Sequence, residues 1–159
     1  MAEKRKVLFL CTGNACRSQM AEAILRHLAG DRFEALSAGS HPAGFIHPIT
    51  VETMQRMEIP MEGQTSKSWD AYAQTPVEAM ITLCDDAAGE ECPVSHSDAI
   101  CVHWSLPDPV AHFGSDEERL EFSLRVAERL RTKIEGLVDS DWSVSRAELI
   151  RRLEFWGEI

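Results

Sequence analysis

A short segment near the N-terminus combines a thiol with a sequence pattern that favours oxyanion binding. Residues 11–17 read C-T-G-N-A-C-R, directly after an apolar run, so that Arg17 follows Cys11 by six positions. A tight loop that leads into a helix presents backbone N–H groups to an anion, and an arginine adds a planar fork of donors. We expect the same positive field to lower the pKa of Cys11 and to make it a nucleophilic thiolate. The segment therefore predicts covalent chemistry on a tetrahedral oxyanion.

The other residues of this segment have expected supporting roles. Gly13 allows a positive φ, and Asn14 can adopt the same region or brace the loop by hydrogen bonds. Ser18 is expected to donate a hydrogen bond to the Cys11 thiolate, whereas Cys16 is expected to pack within the loop rather than act as a nucleophile. The nucleotide-binding pattern G-x-x-x-x-G-K-[ST] is absent from the sequence. The expected substrate-binding residues are Thr12, Gly13, Asn14, Ala15, Cys16 and Arg17.

Composition restricts the class of protein and its partners. With 159 residues, 44% hydrophobic and 26% charged, the chain is expected to bury one soluble core. A net charge of -10 argues against nucleic acid as a partner. The apolar stretch at the N-terminus is too short for a signal peptide or a membrane span, so we expect a cytoplasmic monomer that does not bind membranes. In a reducing compartment, five cysteines indicate catalysis, redox exchange or metal binding rather than permanent disulfides.

The elements that must position the segment alternate along the chain. Short apolar runs predict strands over 6–11, 33–39, 77–84 and 99–104. Amphipathic patterns predict helices over 18–29, 47–58 and 115–138. This alternation predicts an α/β three-layer sandwich, with a four-stranded parallel sheet flanked by helices. Because ligands bind at the carboxyl ends of such strands, Cys11, Cys84 and the loop after Trp104 are expected at one edge of the sheet.

Four stretches together resemble the low-molecular-weight protein tyrosine phosphatase superfamily. They are "VLFLCTGNACRSQMAEAIL" at 7–25, "SAG" at 37–39, "TSKSW" at 65–69 and "DP" at 108–109. Within the superfamily, "CTGNACRSQMAEA" together with "ITLCDDAAGEEC" is most similar to the redox-coupled arsenate reductases. The resemblance implies a phosphatase-like domain over residues 1–137.

Residues 138–159 lie beyond the resemblance and are predicted to form a C-terminal helical extension. Ser145 and Glu148 form a capping-box pattern, and Leu149, Leu153 and Trp156 share one helical face. We expect this helix to pack on the same domain. A contact with a second copy or with a reductase is the alternative.

The resemblance implies a thiol relay for arsenate reduction. Cys11 attacks arsenate, and Asp108 protonates the departing oxygen, which leaves as water. Cys84 then attacks the adduct, which releases arsenite and leaves a Cys11–Cys84 disulfide. Cys92 exchanges with Cys84 and passes the disulfide to thioredoxin or a similar dithiol reductant. The implied catalytic residues are Cys11, Arg17, Ser18, Cys84, Cys92 and Asp108, with no cofactor.

The spacing of the second and third relay cysteines sets a geometric condition. If residues 84–92 were helical, eight steps of ~1.5 Å would separate the two Cα atoms by ~12 Å. A disulfide requires Cα atoms within ~7 Å of each other. We therefore expect this segment to loop or unwind during turnover.

The resemblance also raises the question of a bound cation. Some arsenate reductases of this type hold potassium near the anion loop through an asparagine, a glutamate, a serine and a further aspartate. Asn14, Glu22 and Ser37 match this set, but Lys67 lies near the place of the aspartate. Since a lysine ammonium can replace the cation electrostatically, no metal is expected.

Three alternatives stay open at the level of sequence. A low-molecular-weight protein tyrosine phosphatase needs only Cys11, Arg17 and an acid, but such enzymes usually carry tyrosines after the D-P pair. Here "DPVAHFG" follows, and the only tyrosine is Tyr72. A non-catalytic protein that senses oxyanions or redox state would use the same loop. Zinc held by Cys11, Cys16, Cys84 and Cys92 is disfavoured because the usual C-x2–4-C spacing is missing.

Overall fold

The computed structural model describes residues 3–84 and 99–159 of the chain. Cys92 and the predicted unwinding of the segment after Cys84 therefore lie outside the described residues. None of the helices in the described ranges is both long enough and apolar enough to cross a membrane.

The described residues form a four-stranded sheet covered by helices, which confirms the predicted α/β fold. The strands are β1 (Arg5–Cys11), β2 (Phe33–Gly39), β3 (Ala79–Thr82) and β4 (Ile100–His103). The helices are α1 (Arg17–Ala29), α2 (Pro48–Arg56), α3 (Asp116–Asp139) and α4 (Arg146–Glu158), with a 3-10 helix at Trp69–Tyr72. The strand order is β2-β1-β3-β4, and all three pairings are parallel.

Strand β1 is the centre of the core because it is apolar on both faces. Val7, Leu8 and Phe9 are fully buried, and the strand pairs with β2 on one side and β3 on the other. A parallel strand covered on both faces requires such a continuous apolar run. The last residue of this buried strand is Cys11, so the reactive segment begins at the end of a strand that is paired on both sides.

Local capping signals begin the helices where the sequence places them. Ser115 and Glu118 form a reciprocal capping box at the start of α3. His47 caps α2, because its Nδ1 accepts a hydrogen bond from Ile49 N at 3.1 Å, and Pro48 occupies the first turn. The N-terminus of α1 is different, since its N-cap residue, Cys16, makes no side-chain capping bond. The first N–H groups of α1 are therefore left for a ligand at the loop.

Helix α4 packs against α3 and the edge strand β4. Leu149 and Leu153 are buried in the main core. The indole N–H of Trp104 donates to Leu153 O at 2.8 Å, and Lys133 Nζ donates to the carbonyl oxygens of Trp156 and Gly157 at 3.0 and 2.8 Å. The helix is thus bound to the domain at several points along its length.

Candidate active site

The sheet brings two cysteines and an aspartate to one edge. Cys11 ends β1, Cys84 lies two residues after β3, and Asp108 lies in the loop that follows β4. Cys11 and Cys84 contact each other in a small buried cluster and are only 4% and 6% exposed. The predicted meeting of these segments at the carboxyl ends of the strands is what the structure shows.

The loop after β1 has its carbonyl groups turned away from the site. Each carbonyl of residues 12–15 accepts a hydrogen bond from outside the loop. Thr12 O accepts from His41 N, and Gly13 O accepts from Ala43 N and Ser66 Oγ. Asn14 O accepts from Gln19 Nε2, and Ala15 O accepts from His47 N and Thr50 Oγ1. In the described part of the chain, no acceptor is found for the N–H groups of residues 13–16. A concave set of N–H groups of this kind binds anions.

The Asn14 side chain holds the shape of the loop, and the backbone conformation of residues 13 and 14 differs in part from the prediction. Asn14 adopts a φ of 48°, whereas Gly13 does not have a positive φ, so the expectation for Gly13 is wrong. The buried Asn14 side chain donates to Ser18 Oγ at 2.8 Å and Ser37 Oγ at 3.0 Å. It also accepts from Gln19 Nε2 at 3.0 Å. Asparagine tolerates the left-handed region better than most residues, which makes it suited to this position.

Ser18 has a different partner from the one expected. Its hydroxyl oxygen accepts the bond from Asn14, and among the described residues Ser18 makes no hydrogen bond to Cys11. The expected bond to the thiolate is therefore wrong for this arrangement, although accepting from the Asn14 amide leaves the Ser18 O–H able to donate. The assignment of Ser18 as a catalytic residue stays a prediction.

Gly39, the last residue of the "SAG" stretch, allows the loop to pass close to β2. A Cβ at this position would lie 2.5 Å from Thr12 O and 2.9 Å from Cys11 O. No side chain fits there without displacing the backbone of the anion loop. The glycine therefore sets the distance between β2 and the reactive segment.

Arg17 and Asp108 close the site from the opposite side. Arg17 Nη1 donates to Leu106 O at 2.9 Å, and Nη2 lies 3.6 Å from Asp108 Oδ2. Arg17 Nε is buried, and no hydrogen-bond partner for it is found within the described ranges. Because a buried guanidinium donor normally has a partner, this N–H indicates a position for a bound anion. The cavity that they line has a volume of about 190 Å³, and its lining residues include Cys11, Arg17 and Asp108.

The pKa of Cys11 is raised, contrary to the prediction. The main cause is a hydrogen bond with the Cys84 thiol, and burial adds to it. Arg17 and the Thr12 N–H act in the opposite direction, as expected, but do not outweigh the neighbouring sulfur. Cys84 is itself held beside the loop, since its Sγ lies 3.2 Å from Thr12 N and 3.3 Å from Thr12 Oγ1. The site therefore contains two closely coupled thiols rather than one isolated thiolate.

Cys16 faces the core rather than acting with these thiols. It is 5% exposed and belongs to the main hydrophobic cluster. Burial raises the pKa of Cys16 to about 11, although a hydrogen bond with Thr50 lowers it in part. These surroundings agree with the expected packing role.

Behind the loop, Lys67 lies next to the residues that match the cation-binding set. Lys67 Nζ is 3.8 Å from Glu22 Oε1 and donates to Thr65 O at 2.7 Å. Glu22 also accepts a hydrogen bond from Ser37 Oγ at 2.7 Å. Burial lowers the pKa of Lys67, and the Glu22 carboxylate opposes this shift. Within residues 3–84 and 99–159, no group of three or more His, Cys, Asp or Glu side chains converges as for a metal ion.

Two contributors to the site were missed at the sequence level. Gln19 is fully buried, and its Nε2 contacts Asn14 O and Thr65 O, which ties the loop to the "TSKSW" stretch. Gln19 shares its face of α1 with Glu22 and Arg26, so the sequence alone does not distinguish it from a solvent-exposed polar residue. The carbonyl of Leu106, which orients Arg17, carries no signal in the sequence because any residue provides one.

Comparison with known proteins places the chain in a family. Residues 6–148 match the low molecular weight phosphotyrosine protein phosphatase family, and the chain belongs to it. Among its relatives, the arsenate reductase of Bacillus subtilis is 33% identical over 138 residues, which cover 87% of this chain and 98% of that protein. The arsenate reductase of Bacillus cereus strain Q1 is 37% identical over 120 residues, which cover 76% and 88%.

Two solved structures to which the chain is similar are also arsenate reductases. An arsenate reductase in the phosphate binding state superimposes with a TM-score of 0.68 at 28% identity and covers 84% of this chain and 96% of that chain. The thioredoxin-dependent arsenate reductase of Corynebacterium glutamicum gives a TM-score of 0.60 at 29% identity, covering 83% of this chain and 62% of that chain.

Proposed function

We propose that the protein is an arsenate reductase that transfers electrons through a thiol relay. The observation that carries this proposal is the position of Cys84, which lies against Cys11 inside the oxyanion site. Hydrolysis of a phosphate ester needs one nucleophilic thiol, an anion clamp and an acid. A second thiol in contact with the first is required only if the first thiol must be released as a disulfide.

In the first step the Cys11 sulfur displaces an oxygen from arsenate. The N–H groups of residues 13–16 and the free Nε of Arg17 hold the other oxygens, while the thiol proton passes to the entering dianion. Asp108, next to Arg17, protonates the departing oxygen. One arsenic–sulfur bond forms, one arsenic–oxygen bond breaks, and one water leaves.

In the second step the Cys84 sulfur attacks the Cys11 sulfur. The sulfur–sulfur bond forms as the arsenic–sulfur bond breaks, and the electron pair of the broken bond stays on arsenic. The proton of the Cys84 thiol passes to an oxygen of the departing arsenite. Arsenic is thereby reduced from As(V) to As(III), and the two sulfurs are oxidised to a disulfide. The two Thr12 contacts hold the Cys84 sulfur beside its target before arsenate binds.

Regeneration requires a dithiol reductant, for which we propose thioredoxin or a protein of the same type. The similarity to a thioredoxin-dependent arsenate reductase supports this choice. The proposed role of Cys92 is to exchange with Cys84 and carry the disulfide outward. We further propose that the protein works as a cytoplasmic monomer without nucleic acid or cofactor, and that residues 138–159 extend a reductase domain formed by residues 1–137.

The direct test is arsenate-dependent NADPH consumption with thioredoxin and thioredoxin reductase. Wild type is expected to turn over, while Cys84→Ser is expected to lose steady-state turnover because no disulfide can form with Cys11. Cys101→Ser is the matched control, since Cys101 is an exposed thiol on β4. Turnover by Cys84→Ser at the wild-type rate would contradict the relay. Full turnover by Cys92→Ser would contradict only the outward transfer.

A phosphatase side reaction is the second candidate function. Cys11, Arg17 and Asp108 line the same cavity, and together they are sufficient for hydrolysis of a phosphate monoester. Slow hydrolysis of small aryl phosphates is therefore expected. If wild type hydrolyses phosphotyrosine rapidly but forms no arsenite, phosphatase activity replaces arsenate reduction as the main function.

A further inference from the structure

The C-terminal helix α4 contacts the chain segment that leads into the acid loop. Trp104 is fully buried directly after β4, and its indole N–H donates to Leu153 O on α4. One turn further along α4, near its C-terminal end, Gly157 lies against the same indole. A Cβ at this glycine would be 2.5 Å from Trp104 Cδ1 and 3.2 Å from Trp104 Nε1. Two turns of the helix thus enclose one side chain.

The segment that Trp104 begins is hydrogen-bonded to the end of β3 and to Arg17 of the anion loop. Trp104 N donates to Thr82 O at 2.8 Å, and Leu106 N donates to Leu83 O at 3.2 Å, one residue before Cys84. Leu106 O accepts the hydrogen bond from Arg17, and Asp108 follows two residues later. A shift of Trp104 would therefore move the acid, one anchor of the anion clamp and the neighbour of the second thiol.

The end of α4 is fixed by contacts that do not involve the active site. Lys133, which is buried within α3, donates to the carbonyl oxygens of Trp156 and Gly157. Gly136 faces the indole of Trp156 so closely that a side chain at 136 could not fit. The family match ends at residue 148, so the α4 side of this arrangement lies beyond the matched region.

We propose that Trp104 is a positioning residue for the acid loop and that α4 is the clamp that keeps it in place. This inference rests on the proposed function, because it assigns a role in the same reaction. Asp108 must come within hydrogen-bonding distance of the departing oxygen, and displacements of about 1 Å in such geometry lower rates by up to about a hundredfold.

Two variants test the clamp from opposite sides. Trp104→Phe keeps an aromatic ring but removes the N–H that bonds to Leu153, and Gly157→Ala introduces the Cβ that meets the indole. The matched control is Phe155→Ala, which removes an exposed aromatic ring (54% exposed) from the same helix. If Trp104→Phe does not fold, Gly157→Ala still tests the clamp. Residue 157 lies at the end of α4, where a substitution disturbs the rest of the fold least.

Hydrogen exchange measures the effect on position without any substrate. In Trp104→Phe and Gly157→Ala, the Leu106 N–H is expected to exchange at least about tenfold faster, while Phe155→Ala leaves it unchanged. Unchanged exchange in both test variants would overturn the inference, whatever reaction the protein catalyses.

Kinetics test the functional consequence. In single turnovers without reductant, both variants are expected to form arsenite about tenfold or more slowly. Hydrolysis of phenyl phosphate, whose poor leaving group needs an acid, should slow by the same factor as arsenite formation. Hydrolysis of 2,4-dinitrophenyl phosphate, whose good leaving group needs no acid, should slow by less. Equal losses for both esters would indicate a general structural defect and would refute positioning of the acid. If wild type itself forms no arsenite, the proposed function fails, and the two esters still decide the role of Trp104.

Discussion

Asn14 provides the strongest test of how the anion loop is held. Its side chain is fully buried and makes four hydrogen bonds: two donated to the hydroxyls of Ser18 and Ser37, and two accepted from Gln19 Nε2 and Lys67 N. Its φ of 48° lies in the left-handed region. Asn14→Ala removes all four bonds and places an unfavourable residue in that conformation.

The magnitude follows from these contacts. Each lost bond in a buried network removes roughly 1 kcal/mol, so the four together correspond to about 4 kcal/mol of unfolding free energy. The left-handed conformation adds about 1 kcal/mol for alanine. Because small domains are stable by roughly 5–15 kcal/mol, a combined loss of about 5 kcal/mol should lower the denaturation midpoint strongly, and it would unfold a domain at the lower end of that range.

Asn14→Gly is the matched control because it loses the same bonds but accepts a positive φ. Chemical denaturation of both variants should give glycine a higher stability than alanine by about 1 kcal/mol. Phosphate affinity, measured by calorimetry, should be weakened in both, since the N–H groups of the loop are no longer held in place. A loss of less than about 1 kcal/mol for Asn14→Ala, or alanine as stable as glycine, would show that the loop is not held as described.

Three further predictions concern neighbouring features. Gly39→Ala should weaken phosphate binding by about tenfold or more, because its Cβ meets Thr12 O; unchanged calorimetric affinity would contradict this close approach. Arg17→Lys should weaken phosphate binding by a similar factor, because lysine lacks the planar fork; an affinity within twofold of wild type would argue against direct contact. Hydrogen bonds from Ser115 lower the pKa of Glu118, so the Glu118 carboxylate stabilises α3 at pH values above its ordinary pKa of 4.5. This stabilisation is lost as the pH falls through the lowered pKa of Glu118. Glu118→Gln should remove that part of the pH dependence in denaturation curves, and an unchanged acid limb would refute it.

The sequence was sufficient for the topology and for the residues that meet at the strand ends. Continuous apolar runs identify buried parallel strands, and Cys11 lies at the end of one of them. The details of the loop were harder, because they depend on tertiary neighbours. Whether Gly13 or Asn14 takes the positive φ is decided by the partners that the Asn14 side chain finds on β2 and α1.

The same limitation explains the error in the pKa of Cys11. The sequence shows the arginine and the helix N-terminus, which lower the pKa, because both are close along the chain. The sequence places Cys84 at the same sheet edge, and the resemblance implies a disulfide with Cys11, but neither shows the hydrogen bond between the two thiols that raises the pKa of Cys11. Burial and a second sulfur are properties of the folded site, and here they outweigh the local field.

The coupling of the two thiols leads to a prediction that separates the two candidate functions. Since the hydrogen bond with Cys84, which stabilises the protonated form of Cys11, is the largest cause of the raised pKa of Cys11, Cys84→Ala should lower that pKa. The variant should then contain more Cys11 thiolate at neutral pH. Mass-spectrometric measurement of Cys11 alkylation by iodoacetamide against pH should show a midpoint shifted to lower pH, while Cys101→Ala, which removes an exposed thiol on β4, keeps the wild-type midpoint.

This shift has opposite consequences for the two reactions. Hydrolysis of aryl phosphates uses Cys11 alone as a nucleophile and should therefore be faster in Cys84→Ala than in wild type near neutral pH. Arsenate reduction needs the disulfide and should be abolished in the same variant. A site adapted to hydrolysis would gain nothing from a second thiol that keeps its nucleophile protonated, whereas a reductase needs that thiol in contact with the adduct. If Cys84→Ala left both the alkylation midpoint and aryl phosphate hydrolysis unchanged, the two sulfurs would be independent. Their contact would then no longer support a thiol relay.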